Sequence, residues 1–237
     1  MVRAVLFDFF GTLARALSWG PGPAEVLAGH GLALDPAAFA RWQHEGADGA
    51  DHGPHSADRD RYVAWERARW RALAAGCGAG PDRLEAVSDA LLVASKDYVL
   101  AAYDDAPTTL SALRDLGVTV AVCSNWDWDL DVALDTCGLS GLVDVAVTSA
   151  RAGARKPHPR IYEAALAACG AAPADTLFVG DTWLADVIGP AAAGIRPVHL
   201  CRTGEGTGEG TGQGTGGQVA PGPFPRARTL AEVLGHL

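Results

Sequence analysis

The chain's 237 residues suffice for one large domain, or for a domain carrying a smaller inserted one, and 49% hydrophobic residues can bury a full core, which excludes global disorder. A formal net charge of −9 argues against a nucleic-acid-binding protein, which would show a basic face. It says little against small phosphorylated molecules, because one local cation or metal can reverse the potential of a single cleft.

In chain order, the first element is the apolar run VRAVLFD (2–8). It is too short and too quickly acidic for a secretory signal, and reads as a strand buried on both faces. FDFFGTL follows, with Asp8 at the strand's end. A carboxylate there can act as a nucleophile or a metal ligand, or can merely cap the next turn. Gly11 lets the backbone turn sharply, and Thr12 offers a hydroxyl to an anion. From about 17 to 103 the sequence is rich in Ala, Arg and Trp, with helical stretches such as DRYVAWERARWRALAAG and no convincing strand. This predicts an inserted all-helical cap over 17–103, leaving 1–16 and 104–237 as the core. Within the cap, HEGADGADHGPHSAD (44–58) holds three histidines and several aspartates. Its glycines and irregular spacing fix no ligand geometry, so it reads as a mobile polar loop rather than a metal site.

Beyond the cap, short Val-rich runs alternate with helical patterns: VTVAVCS (118–124), VDVAVTS (143–149), TLFVGD (176–181) and IRPVHL (195–200). Alternation of this kind predicts an α/β fold built on a doubly wound parallel sheet, with ligands at the carboxyl ends of the strands. Polar residues stand at three of those ends: Asp8, Ser124-Asn125 and Asp181. Residues 203–218, TGEGTGEGTGQGTGGQ, form a four-residue repeat with neither a GK[ST] nor a three-residue period, and read as a flexible surface insertion. The closing RARTLAEVLGHL reads as a final helix that docks back. Five scattered cysteines without a CxxC pair suggest neither disulfides nor zinc, and no run approaches the roughly 18 apolar residues of a membrane span. The expectation is a soluble cytoplasmic protein.

The chemistry concentrates in four pieces. Besides FDFFGTL, VCSNWD places Ser124 and Asn125 where small polar groups can hold a phosphoryl oxygen. RKPHPRIY sets Lys156 before Pro157 at the mouth of a helix, where it could steady a nucleophilic carboxylate. FVGDTWLAD brings Gly180-Asp181 and, five positions on, Asp186, so that both carboxylates can face a hard cation. Each piece alone has a structural explanation; four in this order point to one shared site.

Together they resemble the haloacid dehalogenase superfamily, in its subgroup with a helical cap after the first motif and a Rossmann-like core. The similarity spans 1–14 and about 105–200. The resemblance implies that Asp8 attacks phosphorus, or a carbon bearing a halide, to form a covalent intermediate that water hydrolyses. It further implies that Thr12, Ser124, Asn125 and Lys156 serve the catalytic site, the last three binding the transferring group. Mg²⁺ would be held by Asp8, the backbone carbonyl of Phe10 and Asp181, with Asp186 near its water shell.

One residue departs from the phosphatases of this superfamily. Where they carry an acid two positions after the nucleophile, this chain has Phe10, and such acid–base help is typically worth ~10²–10⁴ in rate. The dehalogenases also lack that acid, because a halide leaves without a proton, but their fourth motif is not the acidic GDTWLAD found here. A dehalogenase would also want a cap arginine for its substrate carboxylate, for which Arg41 is a candidate. The expectation is therefore a Mg²⁺-dependent phosphatase acting on a small phosphorylated metabolite, with no nucleic-acid or membrane partner. The alternatives are a metal-independent 2-haloacid dehalogenase and a catalytically weak binding protein of the same fold.

Overall fold

The computed structural model describes residues 1–202 and 224–237; the repeat at 203–218 lies outside the described residues. The chain starts with β1 (Ala4–Phe7) and, after the loop holding Asp8, continues into β2 (Ala14–Trp19). β2 pairs antiparallel with β3 (Tyr98–Ala102), Ala14 opposite Ala102 and Trp19 opposite Tyr98. Between these two strands lie α1 (Pro23–Gly29), α2 (Pro36–Glu45), α3 (Arg59–Gly76) and α4 (Leu84–Ala94). Asp35 caps α2 by accepting from the Ala38 amide at 2.7 Å, and Asp58 caps α3 by accepting from the Arg61 amide at 2.9 Å. The inner faces of these helices meet in a core of their own, with Leu27, Trp70, Leu73, Val87 and Leu91 buried at its centre.

The expectation that 17–103 holds no strand is corrected by β2 and β3. β2 is largely exposed and β3 mostly half-buried, so neither carries the continuous apolar signature of the central strands. They form a two-stranded ribbon at which the chain leaves and re-enters the core.

The core then proceeds through α5 (Ala106–Asp115), β4 (Thr119–Ser124), α6 (Leu130–Thr136), β5 (Val145–Thr148), α7 (Ser149–Ala152), α8 (Pro159–Cys169), β6 (Thr176–Gly180), α9 (Gly189–Ala192), β7 (Arg196–Leu200) and β8 (Arg226–Ala227). Six strands form one parallel sheet in the order β5-β4-β1-β6-β7-β8. Alternate residues feed opposite layers, as the period of two requires. Val5, Phe7, Val120, Val122, Leu177 and Val179 pack toward α5 and α6. Leu6, Ala121, Cys123 and Phe178 pack toward α8, against Ile161 and Tyr162. This is the doubly wound α/β sheet expected from the sequence, with one strand more. The closing segment, expected to be a single helix, instead lays Arg226–Ala227 along the open edge of β7 and ends in 3₁₀ turns over Leu230–His236. The edge supplies backbone partners that an isolated helix would forgo: the His199 amide donates to the Pro225 carbonyl at 2.9 Å, and that of Cys201 to Ala227 at 2.7 Å. Leu230 and Val233 still dock into the core. No helix among the described residues is long and apolar enough to cross a membrane.

Candidate active site

Because β1 is flanked by β4 on one side and β6 on the other, its end is the point where strand order reverses, and Asp8 emerges there. The Asp8 amide donates to the Val179 carbonyl at 2.9 Å, fixing the start of the loop. Its carboxylate Oδ1 accepts from Lys156 Nζ at 2.6 Å, and the same ammonium donates to Asp186 Oδ1 at 2.6 Å. Lys156 is 2% exposed. Burial alone would discharge its ammonium, but the Asp186 and Asp8 carboxylates outweigh that penalty and hold its pKa above the usual lysine value. Asp186 is fully buried, and its second oxygen accepts from the Thr182 amide at 2.9 Å. Burial pushes the Asp186 carboxyl up while the Lys156 ammonium pulls it down.

Two glycines make this packing possible. A Cβ at Gly180 would overlap the Asp186 carboxyl, which folds back beneath the end of β6. Gly11 has φ of +84°, and a Cβ there would lie 2.5 Å from Asp181 Oδ2. Asp186 itself rides on a π-helical turn, Trp183–Ile188, in a stretch that the sequence presents as ordinary helix. Such turns frequently mark functional sites.

Asp181 lies at the open side of the cluster. Desolvation by the surrounding protein, followed by the charge of Asp8, pushes its carboxyl up to about 6. Asp8, Asp181 and Asp186 each offer an oxygen, and these lie within 4.8 Å of one another. Oxygen donors grouped in this way suit a hard divalent cation. Both Asp186 oxygens are engaged by Lys156 and Thr182, so it is the counter-charge of the lysine, and the donors open to a cation are Asp8 and Asp181.

Two side chains have other partners than the sequence suggests. Thr12, fully buried, donates its hydroxyl to Asp181 Oδ1 at 3.3 Å rather than offering it to an anion. Asn125, expected at the transferring group, has its amide bracing Lys156: Oδ1 accepts from the Lys156 N–H at 2.6 Å, and Nδ2 donates to the Lys156 carbonyl at 3.1 Å. Ser124 ends β4, as expected, and is buried there. Phe10 joins a run of aromatic rings: its centroid is 5.5 Å from Trp19, Trp19 is 5.9 Å from Tyr98, and Tyr98 is 5.8 Å from Trp126. The proposed arginine, Arg41, is exposed on α2 beside Gly76, within the helical insertion.

Sequence reasoning missed Asp48 and Arg202. Asp48 Oδ1 accepts from Asn125 Nδ2 at 3.1 Å. Arg202 donates to the Thr12 carbonyl at 2.8 Å and to both oxygens of Asp105. No local pattern announces either one, because both partners are distant in sequence. The 44–58 segment, expected to be a mobile polar loop, is not a loose one: Asp51 makes a two-point ion pair with Arg160, at 2.7 and 2.9 Å.

A family model for haloacid dehalogenase-like hydrolases matches residues 2–194. A ribulose-1,5-bisphosphate 5-phosphatase of Halopiger xanaduensis is 30% identical over 211 residues, covering 84% of each chain. A phosphoserine phosphatase of Thermus thermophilus is 32% identical over 126 residues, or 53% of this chain and 50% of that one. Among solved structures, a dehalogenase captured with an intermediate superposes with a TM-score of 0.57 at 22% identity, covering 100% of this chain and 97% of the other, which speaks to the fold alone. The chain belongs to the haloacid dehalogenase-like hydrolases.

Proposed function

We propose that this hydrolase is a Mg²⁺-dependent phosphatase of small phosphorylated metabolites, with Asp8 as the nucleophile. The observation that carries the reading is the grouping of Asp181 with Asp8, oxygens within 4.8 Å of one another, while the Lys156 ammonium is shared between Asp8 and Asp186. Two carboxylates brought this close repel each other unless a proton or a cation stands between them. A reaction needing only an aspartate and a lysine would gain nothing from Asp181. The relatives named as phosphatases support the same choice.

In this mechanism Asp8 attacks phosphorus, forming an acyl-phosphate bond as the bond to the leaving oxygen breaks. Water then attacks phosphorus, releases phosphate and regenerates Asp8. Lys156 offsets charge on Asp8 and on the incoming phosphoryl group, and Asp186 holds that ammonium in line. Asp8, Asp181 and the Phe10 carbonyl would hold Mg²⁺. When bound, Mg²⁺ supplies neutralisation of the charge that builds on the transferring group. The four-helix insertion serves as a cap, with the β2–β3 ribbon as its stem.

Phe10 favours a second reading, the metal-independent 2-haloacid dehalogenase, since a halide departs without a proton. Assays of phosphorylated metabolites and 2-haloacids, each with Mg²⁺ and with EDTA, separate the two. Phosphatase turnover lost in EDTA is the expected result; haloacid hydrolysis undiminished by EDTA would overturn the phosphatase assignment. Asp8→Asn is expected to abolish turnover of any accepted substrate in a folded protein. Calorimetric titration should show Mg²⁺ binding that Asp181→Ala weakens.

A further inference from the structure

Between α2 and α3 the chain leaves the helical insertion and lies along the loop that carries Lys156. The Gly49 amide donates to the Lys156 carbonyl at 3.0 Å, the Arg155 amide to the Ala50 carbonyl at 2.9 Å, and the His52 amide to the Gly153 carbonyl at 2.9 Å. Asp51 and Ala154 face each other as an antiparallel bridge. Side chains fasten the two ends: Asp48 takes the Asn125 amide at 3.1 Å, and Asp51 grips Arg160 at two points. The main chain of Lys156 is therefore held three ways. Its N–H goes to Asn125 Oδ1, and its carbonyl receives both Asn125 Nδ2 and the Gly49 amide. Asp48 orients the same Asn125 amide that makes two of these bonds.

We propose that residues 48–52 are a positioning strap, in which Asp48, through Asn125, and Gly49, directly, set the Lys156 main chain so that its ammonium stands between Asp8 and Asp186. A lysine stem has four rotatable carbons, and holding its tip in one place carries a side-chain entropy cost. Fixing the root of the stem reduces the positions left for the tip to explore. Displacing a catalytic group by about 1 Å can lower a rate on the order of a hundredfold. The strap is part of the insertion by sequence and part of the core by hydrogen bonding, so seating the insertion and setting the lysine become one event.

The test uses Asp48→Ala, which removes the acceptor for Asn125, and Asp48→Asn, which keeps an acceptor oxygen. Amide hydrogen exchange of the full chain by NMR reads the Lys156 and Arg155 amides against that of Val179. Steady-state kinetics with 4-nitrophenyl phosphate and Mg²⁺ give kcat and KM; this arm alone rests on the phosphatase reading. In Asp48→Ala the Lys156 amide should exchange about tenfold faster or more with Val179 unchanged, and kcat should fall by about tenfold with KM within about twofold. Asp48→Asn should restore both. An unchanged Lys156 exchange rate in Asp48→Ala, or loss in both variants alike, would overturn the strap. If the parent hydrolyses no phosphate ester, the exchange arm still decides, and that outcome counts only against the phosphatase reading. If Val179 loses protection in Asp48→Ala, Arg160→Gln, which frees Asp51 without touching the catalytic groups, is judged by the same exchange criterion.

Discussion

Phe10 follows Asp8, the proposed nucleophile, by two positions, and its ring leans on Trp19. A phosphatase built this way should favour aryl and acyl phosphates, whose leaving groups depart as anions, over alkyl phosphates by about 10²–10⁴. Phe10→Asp should narrow that ratio if the new carboxylate reaches the cleft. Its neighbours are aromatic rings, so its pKa should rise, and stability should fall by about 2 kcal/mol. The ratio of alkyl to aryl turnover, measured in the parent and in a folded variant, checks both halves; an unmoved ratio would show that the proton comes from elsewhere. Gly180→Ala should be more damaging, because its Cβ collides with the Asp186 carboxyl that braces Lys156. A loss of about 3 kcal/mol in denaturant titration, together with a lower kcat, is expected. The sequence made Asp8, Lys156 and Asp181 legible, since each stands in a distinctive local string at a strand end or beside a Pro, and Asp186 by its spacing five positions after Asp181. It could not disclose that Thr12 serves Asp181 or that Asn125 serves Lys156. Those choices depend on which acceptor comes within 3 Å or so in the folded chain, and residue type does not carry that information.

At the scale of elements, the helical insertion is organised around Arg69. Its buried guanidinium donates to Glu66 at 2.7 Å and to the Trp42 carbonyl at 2.6 Å, and lies over the Trp42 and Trp65 rings, 5.0 and 4.9 Å from their centroids. Burial raises the Glu66 carboxyl, and Arg69 is the charge that opposes it. Arg69→Leu should therefore cost about 3–5 kcal/mol, read as a lower denaturation midpoint, and Arg69→Lys should recover little because an ammonium cannot reproduce the planar fork. The segment leading into α3 gives a pH signature. His52 is 3% exposed, meets Ser56 Oγ through Nδ1, packs 5.0 Å from the Trp65 ring and lies in the field of Arg155. Burial, then Arg155, lowers its pKa to about 4. A depressed histidine favours the folded state fully above its unfolded value near 6.5, and that support drains away as pH falls through about 4. The total is about 3 kcal/mol, so stability in His52→Gln should decline less than in the parent between these pH values. Identical slopes in both proteins would contradict the assignment. Elements with a continuous apolar run were readable from sequence. β2, β3 and β8 were not, because their pairing rests on backbone partners rather than on a side-chain pattern.

For the whole molecule, Arg202 ties together three distant stretches. It bonds the Thr12 carbonyl behind the site and Asp105 ahead of α5, and it lies 3.8 Å from the Tyr103 ring centroid, while Asp105 also accepts from the Leu230 amide of the closing segment at 2.8 Å. Arg202→Ala strands the Asp105 charge, so a loss of about 3 kcal/mol and a fall in Tm of roughly 10 °C should appear in calorimetry. A shift below about 2 °C would mean that the tie is redundant. The parallel, doubly wound sheet was legible from the alternation of strands and helices, whereas this tie was not, since nothing in the neighbourhood of Arg202 names Thr12. The strand order also has a consequence in time. Asp8 and Lys156 meet across 148 positions of chain, and Asp186 comes later still. At about 5–20 residues per second, a growing chain carries Asp8 for on the order of ten seconds before Lys156 emerges. The helical insertion has no such wait, because its core runs only from Leu27 to Leu91 and holds Trp42 and Trp70 with ring centroids 4.4 Å apart. Birth order thus separates the two halves of the protein: the insertion can ripen while the candidate site is still unwritten.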